Sequence, residues 1–134
     1  MLWIWFGNLI GCFITSLSLS FTKLNYLQKT AETITEGKLS QTPFSAFIMA
    51  FFCGVIIYLA VENFKTNNHE LGKYLGLLFL IPFFILAGFE HCVANMMYLL
   101  FAKSYTLKTL LYLLIITAGN SIGSIIARTI KKML

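Results

Sequence analysis

The chain has no aspartate, and its acidic residues are five glutamates. Charged residues make up 11% of 134 positions, against roughly a quarter in a soluble domain. So few charges cannot cover a globular surface, which excludes a cytosolic enzyme and a disordered tail. Cysteine is also scarce: Cys12, Cys53 and Cys92 are an odd number, lack CxxC spacing, and lie in apolar runs. That excludes a secreted disulfide scaffold and reads as three small apolar residues. What is abundant is apolar: 58% of residues are hydrophobic, 16% are aromatic, and the mean hydropathy is +0.80. Ten Lys and Arg give a net charge of +5. On so apolar a chain this excess suits the flanks of membrane spans, with lipid as the partner and no nucleic acid.

A bilayer core of ~30 Å requires about 20 apolar residues of helix. Four segments meet that requirement, 2–21, 44–62, 74–102 and 108–128. Charges stand at or beyond the ends of these segments, apart from Glu90 and His91 within the third. The fold class expected is therefore an all-α membrane protein with four transmembrane helices in a single domain. Thr42-Pro43 reads as an N-cap followed by proline at the first helical position. A signal peptide is the rival reading of the first segment, but it has neither a basic n-region nor an obvious cleavage site. Between the first two segments, Leu24, Leu27, Ala31 and Ile34 recur at helical spacing, with Gly37 as a stop. Residues 23–37 form either an interfacial amphipathic helix or a solvated loop. If the helices alternate, Lys and Arg divide five and five between the two sides, and only the Arg128–Lys132 cluster places the C-terminus in the cytoplasm.

The first segment contains Gly7-Asn8-Leu9-Ile10-Gly11 and the fourth Gly119-Asn120-Ser121-Ile122-Gly123. Small residues four apart are ordinary helix-packing signals, and that is one reading. The other is an internal repeat. Three crossings separate the copies, so a true repeat has inverted topology with a three-helix unit. The second unit is then complete and the first retains only its last helix, which leads to the expectation of a truncated protein.

Segment 74–102 is 29 residues, about 43 Å as one helix at ~1.5 Å per residue. That is long for one crossing, and Gly88-Phe89-Glu90-His91 supplies a break at 88–91 after Pro82 has weakened the first half. Non-helical backbone at membrane depth is tolerated where it is buried in protein or lines a cavity. An ionisable side chain there costs at least ~2.5–3.5 kcal/mol and usually marks a function. Glu90 can accept hydrogen bonds from backbone donors that the break frees, while His91 can offer an N–H to a solute. The bland alternative is that the two satisfy one another or nearby carbonyls. Cys92 beside His91 is too poor a ligand set for a metal, so no metal and no cofactor are expected. His69 is a solvated loop residue.

Gly88-Phe89-Glu90-His91-Cys92-Val93-Ala94-Asn95-Met96 closely resembles the GFEHxxANM signature of the formate/nitrite transporter family. These are pentameric bacterial channels for small monovalent anions. The resemblance extends through GNxxG in the first and fourth segments and through Leu59-Ala60-Val61 with Cys53 in the second. It implies an aquaporin-like fold of two inverted three-helix repeats, each with a broken middle helix, of which this chain resembles helices three to six. The implied assignments make His91 the central pore histidine and Lys38 an anion-attracting residue of the outer vestibule. Phe84 and Ile57 become apolar constrictions on either side, and Asn120 the pathway asparagine of the last helix. Gly88, Glu90 and Asn95 support the loop. Gly54 stands where the family usually has asparagine, and the second broken helix, with its threonine facing the histidine, has no counterpart.

On this reading the protein is not an enzyme. It is a multi-pass homopentamer of the bacterial cytoplasmic membrane that carries formate, nitrite, hydrosulfide or a similar anion, passively or with protons. The apolar constrictions make a bare anion costly to admit. Lys38 raises the local anion concentration, and a proton from His91 lets the neutral acid pass. The alternative is a non-transporting membrane fragment or assembly subunit lacking half the pore. An intramembrane enzyme using His91 and Cys92 is weaker, for want of a second acid, a serine or a ligand set.

Overall fold

Backbone polar groups in a segment this apolar find partners most easily within their own helix, and the described chain is helical throughout. The computed structural model describes residues 2–133. Its helices are α1 (Leu2–Ser20), α2 (Leu27–Ser40), α3 (Pro43–Thr66), α4 (Glu70–Leu86), α5 (Cys92–Phe101) and α6 (Leu107–Met133). A short 3₁₀ turn, Lys23–Tyr26, leads into α2. Three helices, α1, α3 and α6, are long and apolar enough to cross a membrane. The residues read from sequence as a third crossing lie in two shorter helices, α4 of 17 residues and α5 of 10.

The chain divides into two units. One comprises the residues up to Ala46 together with Cys92–Ile115, the other Phe47–His91 together with the residues from Ile116 onward. In the first unit α5 packs on both α1 and α2. Met96, Leu99 and Phe101 of α5 are buried there, as are Ala31 and Thr35 of α2. The Thr35 hydroxyl donates to the Tyr98 carbonyl at 3.4 Å, and the Gln41 amide to the Tyr112 hydroxyl at 3.1 Å. Gly37 does not stop α2. The helix runs on to Ser40, whose hydroxyl donates to the Gly37 carbonyl at 2.7 Å. A helical glycine costs only about 1 kcal/mol relative to alanine, a penalty small enough for the helix to run through it. Thr42 caps α3, its hydroxyl accepting from the Ser45 N–H at 3.2 Å.

In the second unit α3 and α4 form an antiparallel hairpin. Asn63 of α3 donates to the Gly72 carbonyl of α4 at 3.0 Å, and the rings of Phe64 and Tyr74 meet edge to face. Exposed His69 immediately precedes α4, its N–H held by Asn67 at 2.9 Å. The part of α6 from Ile116 lies against the part of α3 from Phe47, and the pairings Asn120–Ala50, Ser124–Gly54 and Lys131–Glu62 make the two helices parallel.

Candidate functional site

The end of α4 is closed by local backbone chemistry. The Gly88 N–H donates to the Ile85 carbonyl and the Phe89 N–H to the Phe84 carbonyl, each at 3.1 Å. This closure needs a residue in the left-handed region, and Gly88 supplies it with φ +71. The Phe89 ring then folds back on Phe83, centroid to centroid 6.1 Å, and lies 6.4 Å from Phe52 of α3. Glycine, backward hydrogen bonds and apolar staple together stop the helix, and residues 89–91 continue without regular structure.

Glu90 is buried in this stretch, 3% exposed. Its backbone carbonyl accepts from Nδ2 of Asn120 at 2.8 Å, and the same nitrogen donates to the Ala50 carbonyl at 2.8 Å. An amide NH₂ has two hydrogens, and both are spent on these carbonyls. With both donors on backbone carbonyls, Asn120, expected on the pathway, ties the non-helical stretch to α3.

The clamp requires close helix approach. A Cβ at Gly54 would stand 2.9 Å from the Cα of Asn120 and closer still to its carbonyl oxygen. One at Gly119 would stand 2.7 Å from the Ala50 Cβ, and one at Gly123 would collide with the Phe51 carbonyl. The Ser124 hydroxyl bridges the same contact, 3.0 Å from the Gly54 carbonyl and 2.8 Å from that of Asn120. The close-packing role of Gly54 and the bridge made by Ser124 were not legible in the sequence. The available signal was Ala50-x-x-x-Gly54 on α3, a small-residue spacing that matches Gly119-x-x-x-Gly123 on α6.

His91 follows Glu90, half-buried, with its ring 6.0 Å from that of Phe84 and tilted by 45°. Ile57 is half-buried on the second unit's part of α3. The structure thus brings His91 to Phe84 and Asn120 to Glu90. Asn95 and Lys38 belong to the first unit. Asn95 is buried on α5, and the Lys38 ammonium lies 5.9 Å from the centre of the Tyr98 ring, within cation–π reach. Among the described residues no group of three His, Cys, Asp or Glu could hold a metal.

Comparison with known proteins fits this arrangement. The family model described as formate/nitrite transporter matches residues 1–132. The uncharacterized transporter YrhG of Bacillus subtilis is 35% identical over 104 residues, covering 75% of this chain and 36% of its own. The formate channel BtFdhC of Bacillus thuringiensis is 32% identical over 98 residues, 70% of this chain and 38% of its own. The nitrite transporter NirC of Salmonella typhimurium is 28% identical over 134 residues, 91% of this chain and 49% of its own. The chain spans about a third to a half of the length of these relatives. No solved structure matches it. With a match over nearly its whole length, the chain belongs to the formate/nitrite transporter family.

Proposed function

We propose that this chain builds part of a transmembrane pathway for a small monovalent anion such as formate, nitrite or hydrosulfide, with His91 as the group the solute meets. The observation that carries the reading is the non-helical stretch closed at Gly88 and clamped through Glu90 by Asn120, which puts an ionisable ring in the middle of an apolar run. Connectivity supports four crossings. Three residues join α3 to its antiparallel neighbour α4, while α6 runs parallel to α3. On this reading residues 70–101 return the chain to the side where α3 began, as one broken crossing. The two GNxIG copies then run in opposite directions, as an inverted repeat requires. The pentamer and the bacterial cytoplasmic membrane belong to the same proposal, on the strength of family membership.

In this mechanism Phe84, beside His91, resists a desolvated charge. Proton transfer from the imidazolium form of His91 to the anion yields a neutral acid that crosses the apolar ring more readily, and the imidazole regains a proton from water. Lys38, lying over the Tyr98 ring, enriches anions near the entrance. Uptake of labelled formate or nitrite into proteoliposomes tests the proposal. It should rise as pH falls through the range in which imidazole takes up a proton, and His91→Asn should abolish that dependence. Unchanged flux and an unchanged pH profile in His91→Asn would refute the role of His91. The short matched length favours a second reading, in which the chain supplies only part of a pore. A folded chain that gives no flux at any pH supports that one.

A further inference from the structure

We propose that the first unit carries a binding site for an anionic phospholipid, with the headgroup at the α5–α6 connection and one acyl chain in the groove beneath it. The groove, of about 160 Å³, is bounded by Trp5 and Leu9 of α1, Leu99 of α5, and Leu110 and Leu113 of α6. Its rim is polar. Ser104, Thr106 and Thr109 line it and form a chain of hydroxyls, with Oγ of Ser104 2.9 Å and Oγ1 of Thr106 2.8 Å from Oγ1 of Thr109. Three hydroxyls linked by two bonds leave one hydroxyl hydrogen outside the chain. Exposed Lys103 and Lys108 adjoin Ser104 and Thr109 in sequence, and neither makes an ion pair among the described residues.

Lys103 gives the site its sign. Helix α5 ends with the same closure as α4: the Lys103 N–H donates to the Leu100 carbonyl at 3.1 Å and the Ser104 N–H to the Leu99 carbonyl at 3.0 Å. At the end of α4 the left-handed position is glycine. Here it is Lys103, with φ 54, the one non-glycine residue with positive φ among those described. A lysine in that conformation is strained relative to glycine, and strain retained at one position points to a use for its side chain. A cation, a spare hydroxyl hydrogen and an apolar slot match the phosphate and the acyl chain of one amphiphile. A free anion would leave the slot empty, and a zwitterionic lipid would leave the lysines without a net countercharge.

Thermal unfolding of the full chain in detergent, with lipid added, tests this proposal separately from transport. Phosphatidylglycerol should raise the midpoint well beyond phosphatidylcholine, and inorganic phosphate should not reproduce the effect. Lys103→Gly relieves the backbone strain, so it should fold at least as well without lipid yet bind phosphatidylglycerol at least tenfold more weakly. Lys108→Gln should weaken it in the same direction, while Lys73→Gln, in the other unit, should leave binding unchanged. Equal shifts from phosphatidylcholine, an equal shift from inorganic phosphate, or undiminished binding by Lys103→Gly would each overturn the proposal.

Discussion

Asn120 holds Glu90 by its backbone carbonyl, 2.8 Å from the amide nitrogen, and with its second hydrogen holds the Ala50 carbonyl at the same distance. Removing the amide strands two acceptors where little water can replace it, at a cost of about 1–3 kcal/mol. Asn120→Ala should therefore lower the unfolding midpoint in detergent. Asn120→Asp should be worse, because a carboxylate offers no N–H and places charge beside two carbonyl oxygens. If Asn120→Ala melts with the unaltered chain, the two bonds are dispensable.

The two GNxIG copies separate in their response to alanine. A Cβ at Gly7 or Gly11 meets nothing within 4 Å, whereas at Gly54 or Gly123 it enters the backbone of the neighbouring helix. Gly123→Ala and Gly54→Ala should each destabilise by about 1–3 kcal/mol through overpacking. Gly7→Ala and Gly11→Ala should be neutral, or stabilising by up to about 1 kcal/mol from better helix propensity. Equal effects of Gly7→Ala and Gly123→Ala would show that the copies are packed alike.

This contrast also marks where the sequence was and was not legible. The apolar runs around α1, α3 and α6 are continuous and nearly free of charge, so hydropathy alone identified helices fit for a membrane. Family membership was readable in Gly88–Met96, because seven specified residues within nine successive positions constrain a match far more than composition does. The partners of the polar side chains were not readable. Asn8 and Asn120 sit in identical local motifs, and only three-dimensional proximity shows that Asn120 spends its amide on Ala50 and Glu90. Gly54 stood out only as a departure from the family's usual asparagine, yet the carbonyl of Asn120 leaves no room for a side chain there. Gly37 looked like a helix stop because glycine often ends helices, but α2 continues to Ser40, with Lys38 lying over the Tyr98 ring of α5.

The closure of α4 yields a third test. Gly88 has φ +71 with open space around it, so a substitution there meets conformational strain and no steric clash. Gly88→Ala should cost about 1–2 kcal/mol, and Gly88→Asn less, because asparagine tolerates the left-handed region better. Unfolding in detergent measures both. Identical losses for alanine and asparagine would indicate that something other than backbone conformation sets the cost.

Phe84 provides the test that bears most directly on how charge is excluded. Its ring stands 6.0 Å from the His91 imidazole and is only half-buried, so Phe84→Ala removes an apolar barrier without emptying a core. If that ring forces the solute to cross as a neutral acid, removing it should admit anions that cannot be protonated in this range. Chloride or nitrate flux into proteoliposomes should then rise several-fold, and formate flux should lose part of its dependence on pH, because the bare anion no longer meets the same desolvation barrier. Chloride flux unchanged from the starting chain, with the formate profile intact, would place the barrier elsewhere, and Ile57 on α3 would be the next residue to truncate.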